Sequence, residues 1–97
     1  METKLVWDKT KQQSNLIRHG LDFADAGLVL NSRYRLDIAV VRNNESRMQS
    51  FSYVMNRLSV LTVVHLNRQG VTRIISFRPA SQLESEAYYD WLAQEDD

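Results

Sequence analysis

The stretch from Leu58 to Leu66 constrains the fold most. Leu58, Val60, Leu61, Val63, Val64 and Leu66 make it almost continuously apolar. It is far shorter than the roughly 18 residues a membrane-spanning helix needs, and no other apolar run approaches that length. A run of this kind suits a central β-strand covered on both faces. Such a strand needs neighbours in its sheet and a layer above and below it, so the flanking sequence must supply both.

The flanks do so. From Tyr34 the apolar period is two: Tyr34, Leu36, Ile38 and Val40 alternate with Arg35, Asp37 and Ala39, the pattern of a strand with one buried face. Ser46 to Met55 reads as a second strand with Phe51, Tyr53 and Met55 in phase, followed by a turn around Val54 to Arg57. Arg68-Gln69-Gly70 turns the chain, Val71 to Phe77 forms the last strand, and Pro79 stops it because proline cannot donate to a ladder. Ahead of this sheet, Leu5-Val6-Trp7 is a short strand and Asp8 can N-cap a helix running to about Arg18, with Gly20 as its stop. Asp22 can cap a short second helix ending near Asn31. After the sheet, Ser81 and Glu84 form a capping box, and Leu83, Ala87, Tyr88, Trp91 and Leu92 lie at helical spacing. The expected class is α+β: a short N-terminal strand and two helices, a four-stranded antiparallel meander and a C-terminal helix.

With 97 residues there is room for one core, so residues 1–97 are expected to form a single domain, with Asp96-Asp97 frayed. The opening Met1-Glu2-Thr3-Lys4 is not a secretory signal, and the absence of cysteine removes disulfides, thiolate metal sites and cysteine nucleophiles. A cytoplasmic protein, away from membranes, is expected.

Net charge is zero, but its layout is uneven. Residues 1–83 carry all 12 basic residues against 6 acidic ones, a balance of +6, while residues 84–97 carry 6 acids and no base. Nine of the cations are arginine, whose planar fork grips phosphate or carboxylate at two points. The first helix is nearly devoid of apolar residues; Asp8, Lys11, Asn15 and Arg18 share one face, either a solvated surface or one presented to RNA or a protein. Only His19 and His65 have an ordinary pKa suited to proton transfer near neutrality; a helix-end cap and a sheet-edge position are the ordinary roles for them. No spacing of metal ligands occurs, so no metal site is assigned and no cofactor is expected.

Arg47, Arg57, Arg68, Arg73 and Arg78 all fall in the meander. In a regular strand Arg73 and Arg78 point to opposite faces, so they can share a site only if the strand bends or ends near Pro79. Glu84 and Tyr88 lie one helical turn apart at the rim of the closing helix's apolar stripe, where capping and packing are their ordinary roles.

Two ordered segments carry a resemblance. Trp7-Asp8, Lys11, Asn15, Arg18-His19-Gly20 and Phe23 resemble the "WDxxKxxxNxxKHGxxF" opening of the BrnT toxins. Val63-Val64, Arg68, Arg73-Ile74-Ile75-Ser76-Phe77-Arg78-Pro79-Ala80, Glu84 and Tyr88 resemble that family's "VVxxxxR…RIISARxA…E…Y" close. The chain departs from the pattern at Ser46, with Glu45 displaced by one, at Ser52 in place of a glycine, at Phe77 and at Ser85.

The resemblance implies a RelE-like ribonuclease fold and the toxin half of a type II toxin–antitoxin pair. A BrnA-like antitoxin would neutralise it in a hetero-oligomer, with operator DNA bound only through that complex. The implied activity is metal-independent RNA cleavage by attack of the ribose 2′-hydroxyl, inhibiting growth. Arg47, Arg73 and Arg78 would hold the phosphate, Glu84 would act as base or orienting carboxylate and Tyr88 as proton donor or anchor, with His65 in reserve. Lys11, Arg18 and Arg68 would contact the RNA backbone. The alternative is a catalytically silent protein that binds an antitoxin and modulates repression.

Overall fold

The structure, a computed structural model, describes residues 4–95; Asp96 and Asp97, expected to fray, lie outside them. The elements are β1 (Lys4–Trp7), α1 (Lys9–His19), a 3-10 turn (Phe23–Asp25), α2 (Gly27–Leu30), β2 (Leu36–Arg42), β3 (Glu45–Val54), β4 (Ser59–Arg68), β5 (Val71–Pro79) and α3 (Gln82–Glu95). The class is α+β as expected, but the sheet has five strands in the order β1-β5-β4-β3-β2. β1 pairs parallel to β5, so the sheet is mixed and not a four-stranded antiparallel meander. The helices between β1 and β2 form a crossover that returns the chain to the far side of the sheet. A contact between residues so distant in sequence leaves no local signal.

The caps are as the sequence indicates. The Asp8 side chain accepts from the Lys11 N–H, and Gly20 closes α1 with φ 68°. The Ser81 hydroxyl and Glu84 carboxylate exchange bonds with each other's backbone N–H groups at 3.2 and 2.8 Å. The second helix is shorter than expected, divided into a 3-10 turn capped by Asp22 and a single turn, α2. Between β2 and β3 the tight turn is Asn43-Asn44, with φ 53° and 63°. Asparagine tolerates the left-handed conformation that a two-residue hairpin demands at both positions. Leu58 is not the first residue of β4: it closes the 3-10 turn Met55–Arg57 at φ 52° and is exposed.

β4 is central and covered on both faces, with Val60, Leu61, Thr62 and Val63 all buried. Its two sides face different cores. One contains Leu21, Phe23, Ala26, Val29, Leu61 and Phe77, beneath the segment from α1 to α2. The other contains Phe51, Val60 and Tyr88, beneath α3. β2, at the sheet edge, is thinly covered: Tyr34 precedes it and Ile38 is 42% exposed, so the alternation there marks strand geometry and not a buried face. α3 rests on Tyr88, Trp91 and Leu92, while Leu83 and Ala87 of the expected stripe are exposed.

α1 inverts the usual arrangement. Its apolar Leu16 and Ile17 are exposed and its Asn15 is buried. β1 covers β5 only as far as Ile74, leaving the backbone beyond it without a strand neighbour on that side. The Asn15 amide fills the gap: Nδ2 donates to the Phe77 carbonyl at 2.7 Å and Oδ1 accepts from the Phe77 N–H at 3.2 Å. Nδ2 also donates to the Leu21 carbonyl. Gln12 adds a second tie, accepting from Trp7 Nε1 and donating to Asp22.

Candidate phosphate-binding face and basic cleft

Strand phase decides which of the scattered arginines can meet. Between β4 and β5, Val64 pairs with Ser76 and His65 with Ile74, so Ile75 is an extra residue, a β-bulge. The bulge reverses the alternation between Arg73 and Arg78. Arg73 pairs with Leu66 and Arg78 with Thr62, both on the α3 side of β4, so the two arginines share that face after all. The same register places Arg68, beside Val71, on this face. On β3, Arg47 precedes Met48, the partner of His65, and therefore lies across Leu66 from Arg73, about 10 Å away between Cα atoms at two strand spacings. Arg47, Arg68, Arg73 and Arg78 thus all belong to one side of the sheet.

The anchor of this face is the Arg78–Glu84 pair. Arg78 Nη1 and Nη2 donate to the two carboxylate oxygens at 2.8 and 2.9 Å. Gln49 Nε2 adds a third side-chain bond at 3.1 Å from β3. These donors, Arg78 foremost, hold the Glu84 carboxyl down at about 2. A carboxylate so stabilised is a poor proton acceptor near neutrality; its physical effect is to hold the Arg78 fork in one orientation. Arg47 is paired within its own strand, Nε donating to Glu45 at 2.9 Å. Glu45 therefore lies two residues from Arg47 on the same face. Arg68 and Arg73 are exposed.

Tyr88 stands apart from this group. It is 1% exposed, packs with Phe51 and Val60, and its hydroxyl donates to the Tyr34 carbonyl at 2.7 Å. The bond ties α3 to the segment entering β2, one helical turn from Glu84. His65 is also buried, on the opposite side of the sheet, with Nε2 2.8 Å from Ser50 Oγ and Nδ1 2.9 Å from Asn67 Oδ1. Ser50 in turn donates to Asp37, which also takes two bonds from Arg35, so this polar chain ends in its own ion pair on the side of the sheet away from Arg47, Arg73 and Arg78.

Around the uncovered margin of β5 the arginine face meets α1. Lys11, Ser14, Arg18 and His19 of α1 and Ser76 and Arg78 of β5 line a cleft of about 410 Å³. The stripe read from the sequence therefore divides by role: Asp8 caps, Asn15 holds β5, and Lys11 and Arg18 face the cleft. Arg78 belongs to both regions and joins them into one basic surface. His19 is half-buried there, and burial together with Arg18 and Arg78 keeps its pKa below the ordinary value.

Sequence reasoning singled out the arginines, Glu84 and the α1 cations and noted Glu45 only as a glutamate displaced from its motif position, but it missed Gln49 and Ser76. Gln49 was detectable in principle, being two residues from Arg47 and so on the same face. Ser76 depends on the bulge and was not. Among the described residues no three His, Cys, Asp or Glu side chains converge as a metal site would require, and no helix is long and apolar enough to cross a membrane.

A small α+β protein with four guanidinium groups on one sheet face, continuous with a lysine- and arginine-lined cleft, is of a class suited to holding a polyanion. The family model described as "Ribonuclease toxin, BrnT, of type II toxin-antitoxin system" matches residues 7–84, and the chain belongs to this family. It is a ribonuclease-toxin family whose type II systems pair each toxin with an antitoxin. A comparison with curated proteins gives no match.

Proposed function

We propose that this chain is an active endoribonuclease toxin whose phosphate site is the arginine face centred on Arg78. The observation carrying this reading is the bulge at Ile75 together with the Arg78–Glu84 clamp: Arg73 and Arg78 share one face with Arg47, and one fork is locked in place. In the proposed reaction the ribose 2′-oxygen attacks the adjacent phosphorus and the 5′-oxygen departs. Arg47, Arg73 and Arg78 stabilise the charge that develops on the phosphoryl oxygens, so the chain's own guanidinium groups supply the positive charge and the step is metal-independent. Preorganised donors act most strongly where they need not reorient during reaction, which is what Glu84 and Gln49 secure for Arg78. Lys11, Arg18 and Arg68 hold flanking phosphates, positioning RNA without reading its sequence. Tyr88 acts through α3, by holding Glu84 in register. The chain works in the cytoplasm, where its RNA substrate lies. A BrnA-like antitoxin neutralises it in a hetero-oligomer, and operator DNA is engaged through that complex.

Expression in a bacterial host, with and without the neighbouring open reading frame, tests the reading. Growth arrest relieved by the neighbour, and absent for Arg78→Ala, is the expected result. Equal growth in every case, with RNA left intact by purified protein, would support the silent antitoxin-binding alternative.

A further inference from the structure

The proposed cleavage needs a group to take the proton from the 2′-hydroxyl, and the two carboxylates of the arginine face are each committed to an arginine, Glu45 to Arg47 and Glu84 to Arg78. Glu84 accepts four hydrogen bonds, two of them from Arg78, and its carboxylate is held far below neutrality. The Tyr88 hydroxyl is buried and committed to the Tyr34 carbonyl. His65 is enclosed on the other side of the sheet, between Ser50 and Asn67. Arginine and lysine are protonated at neutral pH and cannot accept.

We infer that His19, in the cleft shared with Arg78, is the general base of this ribonuclease; the inference rests on the ribonuclease reading above. Three observations carry it. His19 lines the cleft with Arg78, the one arginine common to the cleft and the face. It ends α1, whose position against β5 is fixed by the Asn15 amide on the Phe77 backbone, so the imidazole is held by a rigid connection to the strand that carries Arg78. None of the hydrogen bonds among the described residues engages its ring nitrogens, which leaves an acceptor for substrate.

The charged groups lining the cleft are Lys11 and Arg18 from α1 and Arg78 from β5, all cations. Burial, joined by the neighbouring Arg18 and Arg78, disfavours imidazolium and holds the pKa below its ordinary value, which favours the neutral ring that can accept a proton. The step balances without a further reactant: a ring nitrogen takes the 2′-hydroxyl proton, the O2′–P bond forms and the P–O5′ bond breaks. O5′ takes a proton from water, leaving a 2′,3′-cyclic phosphate and a 5′-hydroxyl. The imidazolium then returns its proton to solvent.

The test compares wild type with His19→Gln and His19→Asn, using a labelled single-stranded RNA as substrate and its all-2′-deoxy counterpart as an uncleavable binding probe. Both variants should cleave about 10²- to 10⁴-fold more slowly, the usual contribution of a positioned acid or base, while binding the deoxy strand within about threefold. The wild-type rate should fall as pH drops through a value below about 6.5, and the variants should lose that limb. Variants that cut at the wild-type rate with the wild-type pH profile would overturn the assignment of His19 alone. A wild type that binds but never cuts would overturn the ribonuclease reading and His19 with it.

Discussion

The residue with the most exacting surroundings is Glu84, whose carboxylate collects Arg78, Gln49 and the Ser81 N–H. Its folded-state pKa of about 2 lies below the ordinary 4.5, so the pair contributes stability that is fully present above pH 4.5 and is lost as pH falls through 2. Because the pair is partly solvated, the contribution is on the order of 1–2 kcal/mol, less than the full shift would imply. Glu84→Gln should therefore lower unfolding free energy by that amount at pH 7, with the difference from wild type shrinking below pH 4; denaturant titrations at both pH values measure it. Tyr88 calls for the converse comparison. Its hydroxyl makes one buried bond, so Tyr88→Phe should cost about 1 kcal/mol of stability. RNA cleavage by that variant should stay within a few-fold of wild type in a direct rate assay, since the hydroxyl acts at a distance from the phosphate. A hundredfold slower reaction in a folded Tyr88→Phe protein would instead put the hydroxyl in the chemistry.

At the scale of elements, α1 shows how a helix can dock without an apolar stripe. Asn15 takes the place of a strand neighbour on β5, and its truncation strips hydrogen bonds from a buried backbone N–H and carbonyl. Asn15→Ala should destabilise the protein by about 2–4 kcal/mol, and the Phe77 amide should lose hydrogen-exchange protection more than amides in β3. Uniform loss of protection across the sheet would mean that α1 is held chiefly by something else. The helix caps, the covered central strand and the turn at Gln69-Gly70 were legible because each is written within a few neighbouring residues. The pairing of β1 with β5 was not, because it joins residues about 67 positions apart in sequence. Nor was the bulge: Arg73-Ile74-Ile75-Ser76-Phe77-Arg78 reads as an unbroken alternating strand, and only the pairing with β4 shows which residue is left over. The arginine face itself was legible in composition, but its assembly was not, because the face of Arg78 hangs on that single extra residue.

Across the whole molecule the zero net charge separates into a basic surface and an acidic closing helix. Glu84, Glu86, Asp90 and Glu95 lie on α3 with no cation among them, while Arg47, Arg68, Arg73 and Arg78 share the sheet face and Lys11 and Arg18 the adjoining cleft. If six such cations neutralise phosphates, the logarithm of single-strand affinity should fall with log salt at a slope of about −4, and Lys11→Ala or Arg68→Ala should each reduce it by about 0.7. Binding isotherms of the all-deoxy strand between low and physiological salt give this slope directly; a flat dependence would contradict a phosphate-gripping surface. In the proposed reaction the oriented fork of Arg78 stabilises the charge that develops at the phosphate. The decisive measurement is the cleavage rate of a defined RNA by folded Arg78→Ala against wild type. The rate should drop by about 10²- to 10³-fold, as expected for the loss of one preorganised donor. Cleavage by the variant at the wild-type rate would contradict a phosphate site centred on Arg78.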